Sequence, residues 1–198
     1  MRLEDFIGET FDDPCRSIPI GGDIRDLWDK PQRLRERGKI LRSASGKTMV
    51  YTQLAYVPGL TATCGVRGVP ILTGYMSGCF LFRYTDADGQ MRVAHVGTDI
   101  DNPEAGDKAK AAWKTIANNP NVTNVMGFDP LKDVTWSLLT KAQSFGVPQI
   151  VGYWDVHGIA RVAVFATPPL DMSKRILVAV ESALMKPWDV IKNDRKML

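Results

Sequence analysis

Residues 73–97, TGYMSGCFLFRYTDADGQMRVAHVG, constrain the fold of this chain more than any other stretch. Two runs rich in aromatic and apolar side chains, residues 80–84 and 91–96, flank Asp86-Ala87-Asp88-Gly89, residues that tolerate turn geometry. The pattern predicts a β-hairpin. Side chains alternate faces along a strand, so loop length decides which residues meet. With a loop of residues 86–88, Cys79 lies directly opposite His95. With a loop of residues 86–90, Cys79 faces Gly97 and His95 is its diagonal neighbour on the same face. Opposite Cβ atoms stand about 5 Å apart and diagonal ones about 7 Å, so either loop brings thiol and imidazole within reach. An even-numbered loop puts them on opposite faces.

The 198 residues, 44% hydrophobic and 24% charged, suffice for one well-buried core, and a single domain over residues 1–198 is expected. The formal charge of +3 comes without a long basic run interleaved with aromatics, which argues against nucleic-acid binding. No apolar stretch approaches the roughly 18 residues of a membrane-spanning helix. The opening MRLEDFIGETFDDPCRS has neither the basic nor the apolar region of a Sec signal peptide. Three cysteines, Cys15, Cys64 and Cys79, are an odd and sparse set, read as reduced thiols of a cytosolic protein rather than a disulfide framework. With two histidines in the chain, a zinc site is not expected, and no cofactor is.

Along the chain, residues 1–22 read as an irregular lead-in or edge strand, and a helix is predicted from Asp23 through Leu27 and Trp28 towards Arg37. Strands are expected at residues 48–57, 60–66, 69–73 and within 121–128. SASGKT at 43–48 lacks the spacing of a phosphate-binding loop, since Arg42 stands where its first glycine belongs. Helices are predicted at 108–118, with Ala109, Ala112, Trp113 and Ile116 inward, and at 136–144. A second hairpin is expected about Val156-His157-Gly158. Residues 173–185 read as an amphipathic helix with Ile176, Leu177, Val180 and Leu184 on one side, and 186–198 as a frayed tail. Strands grouped between short helices predict a mixed α/β (α+β) fold, with a mixed, largely antiparallel sheet flanked by short helices.

Cys79 is the candidate nucleophile. Ser77-Gly78 before it let the backbone bend and turn an N–H towards a developing oxyanion, and His95 is placed to take the thiol proton. Thr73 is a candidate orienting hydroxyl. Against this, a cysteine in an apolar strand is commonly an inert core residue, and a histidine between Ala94 and Val96 reads equally as a satisfied core side chain. Cys64 reads as core, Cys15 as part of the lead-in, and His157 as a solvated turn residue able to border a site if its hairpin folds towards Cys79. Asp86, Asp88, Asp99 and Asp101 do not form an EF-hand pattern.

The run Thr73-Gly74-Tyr75-Met76-Ser77-Gly78-Cys79, followed by His95-Val96-Gly97-Thr98, resembles the active-site signature of bacterial glutamine deamidases: the cytotoxic necrotizing factor catalytic domain, the Burkholderia lethal factor and, more remotely, the CheD chemoreceptor deamidase. Met76 stands where the toxins carry leucine. The resemblance implies Cys79 as nucleophile, His95 as acid and base, Thr73 as the residue assisting His95, oxyanion donors from the backbone near Ser77 and Gly78, and Tyr75 at the substrate. It implies a β-sandwich-like mixed sheet flanked by helices, and a protein substrate such as a small GTPase or a translation helicase. An effector of this kind is expected to act as a monomer in a host cytosol after export from the bacterial cytoplasm by a non-Sec route. A protease or transglutaminase using the same pair, or a binding module with Cys79 in its core, are the rival readings.

Overall fold

The central hairpin forms with the longer loop. Thr85 pairs with Met91 and Phe80 with Val96, leaving residues 86–90 as the turn. Asp86 closes it, its Oδ1 accepting from the backbone N–H groups of Asp88 and Gln90 at 3.1 and 2.9 Å. The aspartate side chain thus takes the place of backbone acceptors and sets the register. These observations come from a computed structural model that describes residues 1–12, 37–76, 78–99, 101–194 and 197.

Among the described residues the chain forms a 3-10 turn at Leu3–Phe6, twelve strands and four short helices. The strands are β1 (Thr10–Asp12), β2 (Arg37–Arg42), β3 (Thr48–Leu54), β4 (Thr61–Gly65), β5 (Ile71–Tyr75), β6 (Phe80–Thr85), β7 (Met91–Val96), β8 (Thr123–Phe128), β9 (Val147–Trp154), β10 (Ala160–Thr167), β11 (Lys174–Ser182) and β12 (Lys186–Pro187). The helices are α1 (Pro103–Ala117), α2 (Pro130–Asp133), α3 (Trp136–Gln143) and α4 (Trp188–Ile191). Seven strands make one sheet in the order β1-β11-β10-β9-β5-β3-β2, and five make the other, β12-β8-β6-β7-β4. Among the described strands only β3 and β5 pair in parallel. The expected mixed α/β class is what the chain adopts. No helix among the described residues is long and apolar enough to cross a membrane.

Three apolar layers hold the sheets. Between them lie Leu54, Ile71, Trp154, Val162 and Val178 of the larger sheet against Ala62, Cys64, Leu81, Val93 and Phe128 of the smaller, with α3 contributing Ala142. The larger sheet curls until its edges meet: the Ala44 N–H donates to the Thr10 carbonyl at 2.8 Å, and Phe11 bridges to Ser43. Leu3, Phe6, Phe11, Tyr51, Tyr153 and Phe165 cluster on its other face. On the outer face of the smaller sheet, α1 and α4 pack Trp113 and Trp188 against Phe82, the Trp113 ring stacked at 4.2 Å.

Several sequence expectations change. Residues 173–185 are not a helix but contain β11, paired with β10 and β1. Leu177 is buried in the curl and Val178 between the sheets, so both faces are apolar. A strand buried on both faces loses its polar alternation and reads like a helix. Within the tail expected to fray, β12 pairs with β8, and Trp188, Ile191 and Met197 are buried. Helix α1 starts earlier than predicted, at Pro103, where the Asn102 side chain accepts from the Ala105 N–H at 3.2 Å. Its inward face is Ala105, Ala109, Trp113 and Ala117, and Ala112 is exposed. Arg37 belongs to β2, while the rest of the helix expected from Asp23 lies outside the described residues, as does Cys15.

Candidate active site

Cys79 precedes β6 by one residue, level with Gly97, and His95 stands in β7 across from Leu81 on one side and Ala62 on the other. The two are diagonal neighbours on one face, about 7 Å apart at Cβ in a regular ladder. That face looks into the layer between the sheets, where Cys79, Leu81 and Val93 are core residues. Gly78 adopts φ 131°, a conformation that a side chain would strain, so the chain bends into β6 at this point. Ser77 lies outside the described residues.

A second segment closes over the pair. Residues 57–60 turn against the end of β7, with the Gly59 N–H donating to the Gly97 carbonyl at 3.0 Å and the Gly97 N–H to the Leu60 carbonyl at 2.9 Å. A Cβ at position 97 would collide with the Val57 carbonyl and lie 2.9 Å from that of Leu60, so only glycine admits this approach. The segment carries Tyr56 over the site. Its ring lies 5.3 Å from the His95 ring, and its hydroxyl donates to the Thr98 carbonyl at 3.0 Å. The Cys79 thiol donates to that same carbonyl at 3.5 Å, and the Thr98 hydroxyl donates to the sulfur at 3.6 Å. Cys79 is 3% exposed and His95 0%.

This enclosure sets the protonation states. Burial lowers the His95 pKa to about 3, and the Ala55 carbonyl opposes it weakly by favouring the protonated ring. Even so, neither ring nitrogen makes a hydrogen bond of good geometry among the described residues. Burial also raises the Cys79 thiol; donation from Thr98 lowers it, and the Asp129 and Asp99 carboxylates raise it further. Burial first, then the Cys79 and Asp99 charges, pushes the Tyr56 hydroxyl up. At neutral pH the two buried groups are a thiol and a neutral imidazole.

The remaining candidates are placed as follows. Thr73 is fully buried, its hydroxyl donating to the Gly74 carbonyl at 2.7 Å and accepting from the Gly152 N–H at 2.9 Å. It fills a gap where the β5–β9 register shifts, and neither bond reaches His95. Tyr75 packs against the cluster inside the curl, and its hydroxyl accepts from Arg175 Nε at 3.0 Å. Cys64 is core. His157 is exposed on its turn. Among the described residues no three metal-ligating side chains gather. The residues that sequence reasoning missed are Tyr56, Thr98 and the Ala55 carbonyl. Thr98 stood beside the histidine in the motif; Tyr56 and Ala55 are distant in sequence and carried no signal.

No family model matches the chain, and no curated protein matches it in sequence. Among solved structures, the C-terminal domain of CNFy from Yersinia pseudotuberculosis is similar over 75% of this chain and 70% of that one, at 10% identity and a TM-score of 0.31. So slight a likeness leaves the chemistry to be argued from the residues themselves.

Proposed function

We propose that this protein is a cysteine-dependent deamidase that converts a glutamine side chain of a target protein to glutamate. The observation that carries this reading is His95. A fully buried imidazole whose nitrogens make no full hydrogen bond among the described residues costs about 1–3 kcal/mol per unmet group, and this one stands on the same face of its sheet as the Cys79 thiol. Trp113, Tyr153, Trp154 and Thr167 also carry buried polar atoms without a partner among the described residues, but none of them exchanges a proton near neutrality as an imidazole does.

Burial is the largest cause of both shifts, raising the thiol and lowering the imidazole. Solvation on opening reverses both, so admitting substrate favours the thiolate–imidazolium pair. The Cys79 sulfur then attacks the carboxamide carbon, and backbone N–H groups after Gly78 receive the oxyanion. His95 gives its proton to the departing ammonia, leaving a thioester. It next removes a proton from water, which attacks the thioester carbon and releases the carboxylate and the thiol. The Ala55 carbonyl is the group positioned to orient the ring, because the Thr73 hydroxyl is committed to Gly152 and Gly74. The conversion replaces a neutral amide with a charge, and in a GTPase whose glutamine positions the attacking water it would hold the switch on.

The enclosure of Cys79 favours a second reading, an interaction module whose cysteine is core. Mass spectrometry of host-cell lysate treated with the protein separates the two. Glutamine-to-glutamate conversion is expected, reduced on the order of a thousandfold or more by Cys79→Ser while the melting temperature stays within a few degrees. Cleavage or crosslinks instead identify a protease or transglutaminase. An unmodified lysate, with Cys79→Ser strongly destabilised, identifies the module.

A further inference from the structure

We propose that Thr98 is the positioning residue for the Cys79 sulfur, holding the thiol at its carbonyl and donating its hydroxyl to the sulfur once the proton has left. This rests on the reading of Cys79 as the nucleophile and adds a residue to which that reading gave no role. Three contacts carry it: Cys79 Sγ to the Thr98 carbonyl at 3.5 Å, Thr98 Oγ1 to Cys79 Sγ at 3.6 Å, and Tyr56 Oη to the same carbonyl at 3.0 Å.

Thr98 is fixed from several directions rather than merely adjacent. Its N–H donates to the Val96 carbonyl at 2.9 Å, the preceding residue is clamped by Gly59 and Leu60, and Tyr56 occupies its carbonyl. An acceptor held by a second donor keeps its orientation when the first lets go. When the thiol loses its proton, the carbonyl ceases to be a partner for sulfur. The hydroxyl remains, and a donor to an anion is worth more than one to a neutral group. The groups facing the sulfur otherwise oppose charge: Asp99 follows Thr98, Asp129 follows β8, and Tyr56 and His95 are uncharged in the closed state. Thr98 is therefore the counterweight to burial, and it borders the sulfur where the chain becomes partly exposed.

The test is the pH dependence of iodoacetamide labelling at Cys79, resolved by mass spectrometry of the full chain. Thr98→Val is nearly isosteric and removes the hydroxyl; Thr98→Ser restores it. Thr98→Val is expected to raise the labelling midpoint by about one pH unit and to slow labelling near neutrality about tenfold. Thr98→Ser is expected to label within about twofold of the wild type. A packing role would move melting temperature without moving the pH midpoint. Identical midpoints in Thr98→Val and wild type overturn the proposal, and so does a wild-type Cys79 that resists labelling at every pH where the protein is folded. A shifted midpoint in a protein that deamidates nothing leaves Thr98 in its role and removes the deamidase reading instead.

Discussion

A histidine enclosed as His95 is makes the fold sensitive to acid in a defined window. In the unfolded chain its imidazole takes a proton near pH 6.5, whereas in the folded protein it does so only at about 3. Between those values the unfolded state binds more protons, so stability is complete above pH 6.5 and declines as pH falls towards 3. The slope is about 1.4 kcal/mol per pH unit, or about 2 kcal/mol lost by about pH 5, before most carboxylates titrate. Urea denaturation at stepped pH is expected to show that slope in the wild type and to lose it in His95→Leu; an unchanged slope would mean that the ring is solvated. At this scale the sequence was legible where parity alone decided. Either odd-numbered loop puts Cys79 and His95 on one face, and choosing between the two needed the Asp86 side-chain bonds. Thr73 was an expectation from the motif, and its hydroxyl goes instead to a main-chain gap in the β5–β9 ladder. Tyr56 escaped notice because its place over His95 depends on a turn packing across another strand.

That turn is the element on which the site hangs. The approach of residues 57–60 to β7 leaves no room for a side chain at position 97. Gly97→Ala is expected to cost roughly 1–3 kcal/mol, as overpacking commonly does, and to lift Tyr56 from the Thr98 carbonyl. A thermal melt and the labelling rate of Cys79 check both effects, which should appear together; a melting temperature unchanged within error would show that the turn gives way freely. Elements with one wet face, such as β3 and β4, were legible from alternation. β11 was not, because Leu177 and Val178 are buried on opposite faces and the code for a strand vanishes when both sides are dry. α4 was missed for a related reason, since four residues are too few to show a helical period and Trp188 is held by Phe82, Trp113 and an indole bond to Asn118 at 3.0 Å.

For the molecule as a whole, the mixed α/β class followed from grouped strands and short helices, whereas the division into two sheets and the curl of the larger one did not, because that closure joins segments far apart in sequence. Phe11 seals that closure, 1% exposed and 6.1 Å from the Phe165 ring. Phe11→Ala is expected to cost about 3–5 kcal/mol and to speed amide exchange in β1 and β11 ahead of the smaller sheet. Uniform exchange across both sheets would indicate that they open as one body. β1 finds its partner in residues 174–176, and the Asp12 and Lys174 side chains it brings together are 162 positions apart. A nascent chain leaving the ribosome therefore leaves β1, and part of the cluster around Phe6 and Phe11, without its strand partner until β11 has been translated. The strand that buries β1 is translated long after it, and the aromatic rings left exposed in the interval are a surface that folding helpers in the cell would meet.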